Sequence, residues 1–499
     1  MDTAYKTYAG ILDERLKAEI EDKLEESQFG FRKGRGVIDA VYVINHIIDK
    51  QLVKERGKLY AYFADLRAAF DRLNREKLEE KMRKMGIKPH TREFWTVRGV
   101  TQGCPLSLTL FNIHVAGLEE ELRKGQAGGI VVGERKVWSL TYADDIVLVA
   151  DREEKLKEML KRLKKFLKEA DLELSTEKTK IVWGEQELEE VNEIRYLVNE
   201  KHIQDRKKRA TIAMKKTWNV GERIFKQDYK RRMKMFGALV ESVALFGAEV
   251  WGWNMEERLD RVQRGYVKWI LDLDMTTPNY MLVEECKLIE MKEKALKRTA
   301  RYEEKALESK KELVKECIKE RERENEEQER MTADQIIEER RKRETEERGK
   351  RIRESKHNIH YRNIVKEKLP KYLEGRMKWK DRRILARFRC GNEAKAREYW
   401  KEEEGKREEC EITGGPKDIG KTLNETGEGL AELKAIIEAG RANDKKEAQR
   451  GRYTVYIWRG SFAGQPRRSA SHSLYIALGF ILSQYYVDGH LFLKLQYGQ

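Results

Sequence analysis

The chain has 499 residues, with 104 Lys and Arg against 88 Asp and Glu, a net charge of +16 and a pI near 9.3. That length supplies several domains and more than one core, and the positive excess suits a polyanionic partner, nucleic acid first, although 38% charged residues of both signs also fit a solvated surface. The five cysteines, Cys104, Cys286, Cys317, Cys390 and Cys410, are odd in number, dispersed and never in Cys-x-x-Cys, so neither a disulfide framework nor a zinc site is indicated.

From the N-terminus, Met1-Asp2-Thr3-Ala4-Tyr5-Lys6 is polar and has no signal-peptide run, so with its unpaired cysteines the protein is expected in the nucleus or cytoplasm. Leu12, Leu16, Ile20 and Leu24, then Val41, Ile44, Ile47 and Ile48, mark two amphipathic helices within residues 8–57. Between them lies the Gly- and Arg-rich turn Gln28-Phe29-Gly30-Phe31-Arg32-Lys33-Gly34-Arg35-Gly36. Leu59 to Leu66 reads as a strand with Asp65 near its end. Helices follow at about 75–86, 106–123 and 153–170, with a hairpin from Val137 to Ala150 and strands near 181–183 and 194–197. This alternation is α+β through about residue 200. Residues 203–310 read as helical, and 303–356 as a charge-saturated run, expected to be one solvent-bridging helix or disordered. Residues 360–450 carry a weaker pattern, and from 451 the composition shifts to Gly, Tyr, Ser and aromatics. The apolar stretch from Leu474 to Leu482 is too short to span a bilayer as a helix, so no membrane partner is expected.

The chemistry concentrates in Tyr142-Ala143-Asp144-Asp145, two carboxylates on a turn between apolar strands. Carboxylates rarely enter such surroundings without a cation or hydrogen bonds, so a divalent metal competes with a plain Asp-Asp turn. Asp65, at the end of its own strand, would join them if the strand ends meet. Three carboxylates at one point suit magnesium or manganese rather than zinc, and a metal pair roughly 3.5–4 Å apart serves phosphoryl transfer. Gln102-Gly103-Cys104-Pro105-Leu106-Ser107 is a Gly-containing loop running into a helix, a weak signal for close approach to a nucleotide.

The order of these motifs, Asp65 with Ala69-Phe70-Asp71, then Gln102-Gly103-Cys104-Pro105, then Tyr142-Ala143-Asp144-Asp145, then Leu172-Glu173-Leu174-Ser175 to Lys180, resembles the reverse transcriptase family of non-LTR (LINE-like) retrotransposons. Gln28-Phe29-Gly30-Phe31-Arg32, Arg195-Tyr196-Leu197 and Gly247-Ala248-Glu249-Val250-Trp251 also match its pattern, so the resemblance covers about residues 5–300. It implies a right-hand polymerase, with partial fingers at 1–58, a palm with an antiparallel sheet at 59–200, a helical thumb at 201–300, a charged helix or linker at 301–360, a degenerate C-terminal region at 361–450 and an unrelated, poorly ordered tail at 451–499. Its partners would be an RNA template, a DNA primer and deoxynucleoside triphosphates, and its cofactor Mg2+ or Mn2+. Asp65, Asp144 and Asp145, with the Leu66 carbonyl, would hold the metals. Phe70 would gate the incoming sugar, Gln102, Gly103, Ala143 and Lys178 would meet the nucleotide, and Arg32, Arg35 and Tyr142 the template or primer.

Several features depart from that pattern. The chain begins inside the fingers without the upstream basic motif, the stretch from Met85 to Gly99 is short, Leu108 stands where Pro is usual and Ser175 where Asn is usual. These departures support an alternative, a catalytically silent nucleic-acid-binding remnant. A third reading is a helical interaction protein built on 203–356. Gly415-Pro416-Lys417-Asp418-Ile419-Gly420-Lys421-Thr422 spells a P-loop, but the acidic segment Glu402 to Glu409 before it is no buried strand.

Overall fold

A computed structural model describes residues 3–54, 57–87, 99, 103–175, 180–185, 202–254, 257–324, 331–356, 361–365, 367–375 and 377–392. Within them the chain forms two compact units, one from residues 3–202 with 301–324, the other from 203–300 with 331–392.

The first unit is mixed helix and antiparallel sheet. Strands β1 (Lys58–Asp65), β4 (Ser139–Tyr142), β5 (Asp145–Ala150) and β6 (Lys180–Glu185) form one sheet in the order β4-β5-β1-β6, while β2 (Ile130–Val132) and β3 (Arg135–Val137) pair as a separate hairpin. β1 is paired along both edges, to β5 and β6, which is why Leu59, Ala61, Tyr62, Phe63 and Ala64 are all buried and the strand reads as a continuous apolar run.

Among the described residues seven α-helices precede β6: α1 (Thr3–Ile20), α2 (Val37–Val53), α3 (Ala69–Arg72), α4 (Arg75–Lys84), α5 (Pro105–Val115), α6 (Leu118–Lys124) and α7 (Glu153–Ala170). α7 lays Leu156, Met159, Leu163, Phe166 and Leu167 onto the core, places Glu153 and Glu154 at its positive end, and closes on Asp171 in the left-handed region at φ 58°. α5 starts at Pro105 and is buried nearly all round. The single helix expected over 106–123 is two, because Gly117 at φ 83° turns the chain between α5 and α6. His114 Nε2 donates to the Ala170 carbonyl at 2.8 Å, tying α5 to the end of α7; burial pushes its pKa down to about 4, so it is neutral.

The charged run departs from its expectation. Helix Glu312–Glu324 buries Leu313, Val314, Cys317 and Ile318 in the first unit. Those four positions form a narrow stripe that charged neighbours mask in the sequence. Its outer charges are consumed internally. Asp39 on α2 accepts from Tyr302 Oη at 2.6 Å and Lys311 Nζ at 2.8 Å, Tyr42 Oη donates to Glu303 at 2.8 Å, Arg321 pairs with Glu303, and Glu320 takes His46 and Lys50. Tyr42 and Tyr302 rings pack at 5.3 Å.

The second unit is helical: His202–Ile224, Tyr229–Phe236, Asp260–Leu271, Asn279–Cys286, most of Met291–Glu308, Ala333–Arg353 and Trp379–Arg389. One apolar cluster, including Phe236, Tyr266, Leu271, Met281, Leu373 and Leu385, fills it. Within that core Glu285 accepts from Tyr361 at 3.0 Å, Tyr372 at 2.8 Å and Arg389 at 2.5 and 3.0 Å, so a fully buried carboxylate has every oxygen met. Helix Ala333–Arg353 is the nearly all-round polar one, opened by a Thr332/Gln335 capping box. The four described cysteines are free and buried, Cys390 among the core side chains. No single described helix is long and apolar enough to cross a membrane; the pair Tyr229–Ala244 and Ala248–Asn254 passes that test only jointly, across a 70° bend.

Candidate active site

Antiparallel register builds the site. Tyr60 to Asp65 on β1 run opposite Ala150 to Asp145 on β5, so Asp65 faces Asp145 directly at the open end of the pair. β4 and β5 turn through Ala143 and Asp144, with Tyr142 opposite Asp145 and Ala143 in the left-handed region at φ 57°. The Leu66 amide donates to the Asp144 carbonyl at 3.3 Å. Carboxylates from two segments distant in sequence, Asp65 and the Asp144-Asp145 pair, therefore occupy neighbouring backbone positions, each half-buried. Opposed residues in such a ladder lie ~4.5–5.5 Å apart at Cα.

The side chains do not close into a cage. Among the described residues no group of three or more His, Cys, Asp or Glu is disposed to hold a metal ion. Backbone register brings Asp65 and Asp145 together, while the side chains of the described residues form no three-carboxylate group. The donor chemistry still fits a hard divalent cation, since the set offers carboxylate oxygens and a neighbouring carbonyl.

The turn is held by a segment the sequence singled out for other reasons. Phe29 N donates to Thr141 O at 2.8 Å and Thr141 N to Ser27 O at 2.9 Å, so residues 27–29 pair alongside β4. Gln28 Nε2 reaches Asn112 O at 3.0 Å, and Asn112 Nδ2 donates to Gly30 O at 2.6 Å. Gly30 passes so close to the turn that an added Cβ would overlap the Ala143 nitrogen and lie 3.2 Å from the Tyr142 carbonyl carbon. Phe31, itself at φ 56°, sets its ring 6.2 Å from Tyr142 and 6.4 Å from Phe70; Phe70 in turn lies 4.9 Å from Phe111. Gly30, Phe31 and Asn112 escaped sequence reasoning as site residues. The available signal was Asn112, a polar amide inside the apolar helix Pro105–Val115.

Segment 173–175 lies against the other side of the β1 end: Arg67 N donates to Glu173 O at 2.8 Å and Ser175 N to Asp65 O at 2.8 Å. Lys178, three residues on, lies outside the described residues, as do Gln102, Arg195 to Leu197, Cys410, the P-loop spelling and the tail from 451. Gly103 is exposed at φ 83°, just before α5.

Arg32 and Arg35 require correction as template contacts. Arg32 is 6% exposed and donates to Glu21 Oε1 and the carbonyls of Glu21, Glu25 and Gln28, the shortest at 2.6 Å. Arg35 is likewise taken by Glu26, through its carboxylate at 2.6 Å and its carbonyl at 3.1 Å. Both guanidiniums satisfy buried backbone oxygens in the 21–36 turn, so their charge is spent inside the fold.

Comparison with known proteins agrees with the geometry. Residues 1–200 match the family model for reverse transcriptase (RNA-dependent DNA polymerase). The chain is 30% identical over 177 residues to a retrovirus-related Pol polyprotein from type-1 retrotransposable element R2 of Nasonia vitripennis, covering 31% of this chain and 17% of that protein. It is 27% identical over 195 residues to the corresponding R2 polyprotein of Popillia japonica, covering 34% and 27%, and 27% identical over 175 residues to the transposon TX1 uncharacterized 149 kDa protein of Xenopus laevis, covering 30% and 13%. The chain thus spans about a quarter or less of the length of these relatives. Residues 1–200 thus match the reverse transcriptase family model, and the relatives the chain resembles include Pol polyproteins of the retrotransposable element R2.

Proposed function

We propose that the chain is an RNA-directed DNA polymerase that extends a DNA primer 3′-hydroxyl on an RNA template. The observation that carries this reading is the register that sets Asp65 opposite Asp145 beside the Ala143-Asp144 turn. In it, Asp65, Asp144, Asp145 and the Leu66 carbonyl are the groups that would hold Mg2+ or Mn2+. Such a metal pair stabilises the attacking and leaving oxygens in phosphoryl transfer. Ala143, small and buried, leaves room for the primer end above the turn, and Tyr142 orients it. Phe70, whose ring lies near those of Phe31 and Phe111, would be the gate against a 2′-hydroxyl. Gln102, Gly103 and Lys178 complete the nucleotide side. Residues 1–58 would be fingers, 59–200 palm and 201–300 thumb.

One observation favours a second reading. With no three-group cage among the described residues, the chain would be a silent nucleic-acid-binding remnant. Primer extension on poly(rA)/oligo(dT) with Mg2+ separates the two. Incorporation abolished by Asp65→Asn and by Asp144→Asn supports the polymerase. Folded wild-type protein that binds template-primer without incorporating supports the remnant.

A further inference from the structure

Two tryptophans of the second unit meet edge to face. Trp218, on helix His202–Ile224, and Trp269, on helix Asp260–Leu271, have ring centroids 5.6 Å apart at 78°. Trp269 is 38% exposed, on a helix that buries Val262, Tyr266 and Ile270. One exposed ring is ordinary. What surrounds this one is not.

The Arg232 guanidinium lies 4.4 Å from the Trp218 ring centre and is 2% exposed, yet its Nε and Nη2 have no hydrogen-bond partner. Glu222 takes its Nη1 at 2.6 Å and also draws Lys226 to 3.4 Å. Lys226 Nζ sits 4.2 Å from the half-buried Trp379 ring, and Arg383 lies 4.6 Å from the same ring. Arg383 pairs with Asp272, one turn beyond Trp269. The paired rings of Trp218 and Trp269 and the separate ring of Trp379 are thus linked through three cations, Arg232, Lys226 and Arg383, and the carboxylates of Glu222 and Asp272, all in one unit.

That combination stacks bases and neutralises a phosphate backbone together. The local charge agrees: helices His202–Ile224, Tyr229–Phe236 and Trp379–Arg389 carry sixteen Lys and Arg against three Asp and Glu. A duplex hides its base faces, so a stacking surface selects an unpaired strand.

We propose that this surface binds single-stranded nucleic acid, with bases stacking on Trp269 and Trp379 and with Lys226 and Arg383 beside the backbone phosphates. The site belongs to the second unit and needs no polymerase chemistry. The test is fluorescence anisotropy of the full chain with labelled oligo(dT), beside a duplex of equal length at the same salt. Trp269→Ala is expected to weaken single-strand binding by about 5- to 150-fold and duplex binding by far less; Trp379→Ala acts in the same direction, and Trp269→Phe restores most of the loss. An unchanged single-strand affinity in Trp269→Ala, or equal losses on strand and duplex, overturns the proposal. Quenching of intrinsic tryptophan fluorescence in the unmodified protein gives a second reading should the alanine variant unfold: saturable quenching by oligo(dT) is expected, and its absence refutes stacking. Asp144→Asn keeps full strand binding, so failure of extension and failure of this site remain distinct results.

Discussion

Gly30→Ala is the sharpest probe of how the first unit positions its carboxylates. The added methyl group would overlap the Ala143 nitrogen, with the Tyr142 carbonyl carbon at 3.2 Å and Ala143 Cα at 3.3 Å. All three are backbone atoms, so no side-chain rotation relieves the overlap. Carbon–carbon contacts settle at ~3.5–4.0 Å, so the 27–31 segment and the turn must part by on the order of 1 Å. Such overpacking costs about 1–3 kcal/mol, which for a unit of this size lowers Tm by roughly 2–10 °C. The displaced residues are those flanking Asp144, and a 1 Å misplacement costs about 100-fold in rate. Primer extension at saturating substrate, with thermal unfolding of the same preparation, reads both effects. The expected result is a kcat loss far exceeding what partial unfolding explains, with KM for the template-primer little changed. A Gly30→Ala protein with wild-type Tm and wild-type extension would refute the close approach and the positioning role built on it.

Other perturbations follow from buried charge. Arg389→Ala leaves Glu285 without its cation in an apolar core and is expected to destabilise the second unit by about 3–5 kcal/mol, measured by urea unfolding. Arg321→Ala is expected to have a smaller effect in the first unit, about 1–3 kcal/mol, since Arg321 is partly exposed and Tyr42 and Tyr302 still pack. Glu119, bonded to Ser27, has its pKa pushed up to about 7 by burial, so the folded state binds a proton that the unfolded chain releases above about 4.5. Stability should therefore be greatest below that value and decline as pH rises towards 7, by on the order of 2–3 kcal/mol, and Glu119→Gln should flatten the profile. Asp144→Asn is expected to abolish extension while leaving template-primer affinity equal or higher by gel shift, the like-charge repulsion of the phosphates being reduced.

How much of this was legible in the sequence varies residue by residue. The β1–β5 pair reads well, because Leu59 to Ala64 and Ile146 to Ala150 are short apolar runs that each meet an acidic residue at one end. Their register does not read from these runs, because strands apolar on both faces can slip by one residue without exposing a side chain; the fold sets Asp65 beside Asp145. Arg32 and Arg35 mislead for the opposite reason. A Gly- and Arg-rich turn has the composition of a phosphate contact, whereas the carbonyls of Glu21, Glu25 and Glu26 that claim these guanidiniums exist only in the folded turn. Gly30 reads as turn chemistry, though its position is dictated by tertiary approach. The run from 303 hides its apolar stripe because Leu313, Val314, Cys317 and Ile318 are outnumbered by charges whose partners, Asp39, Tyr42 and His46, lie some 270 residues earlier.

That last arrangement bears on how the protein is made. The residues that embrace α2 leave the ribosome only after the whole 203–300 excursion has been translated, so the first unit waits, incomplete, through a stretch of synthesis approaching a typical small domain in length. Bridging an excursion of that length costs ~4 kcal/mol of chain entropy, which the Asp39 and Glu303 contacts must more than offset. Nascent chains arrested before residue 301 should expose α2 and recruit chaperones, and those arrested beyond residue 324 should not.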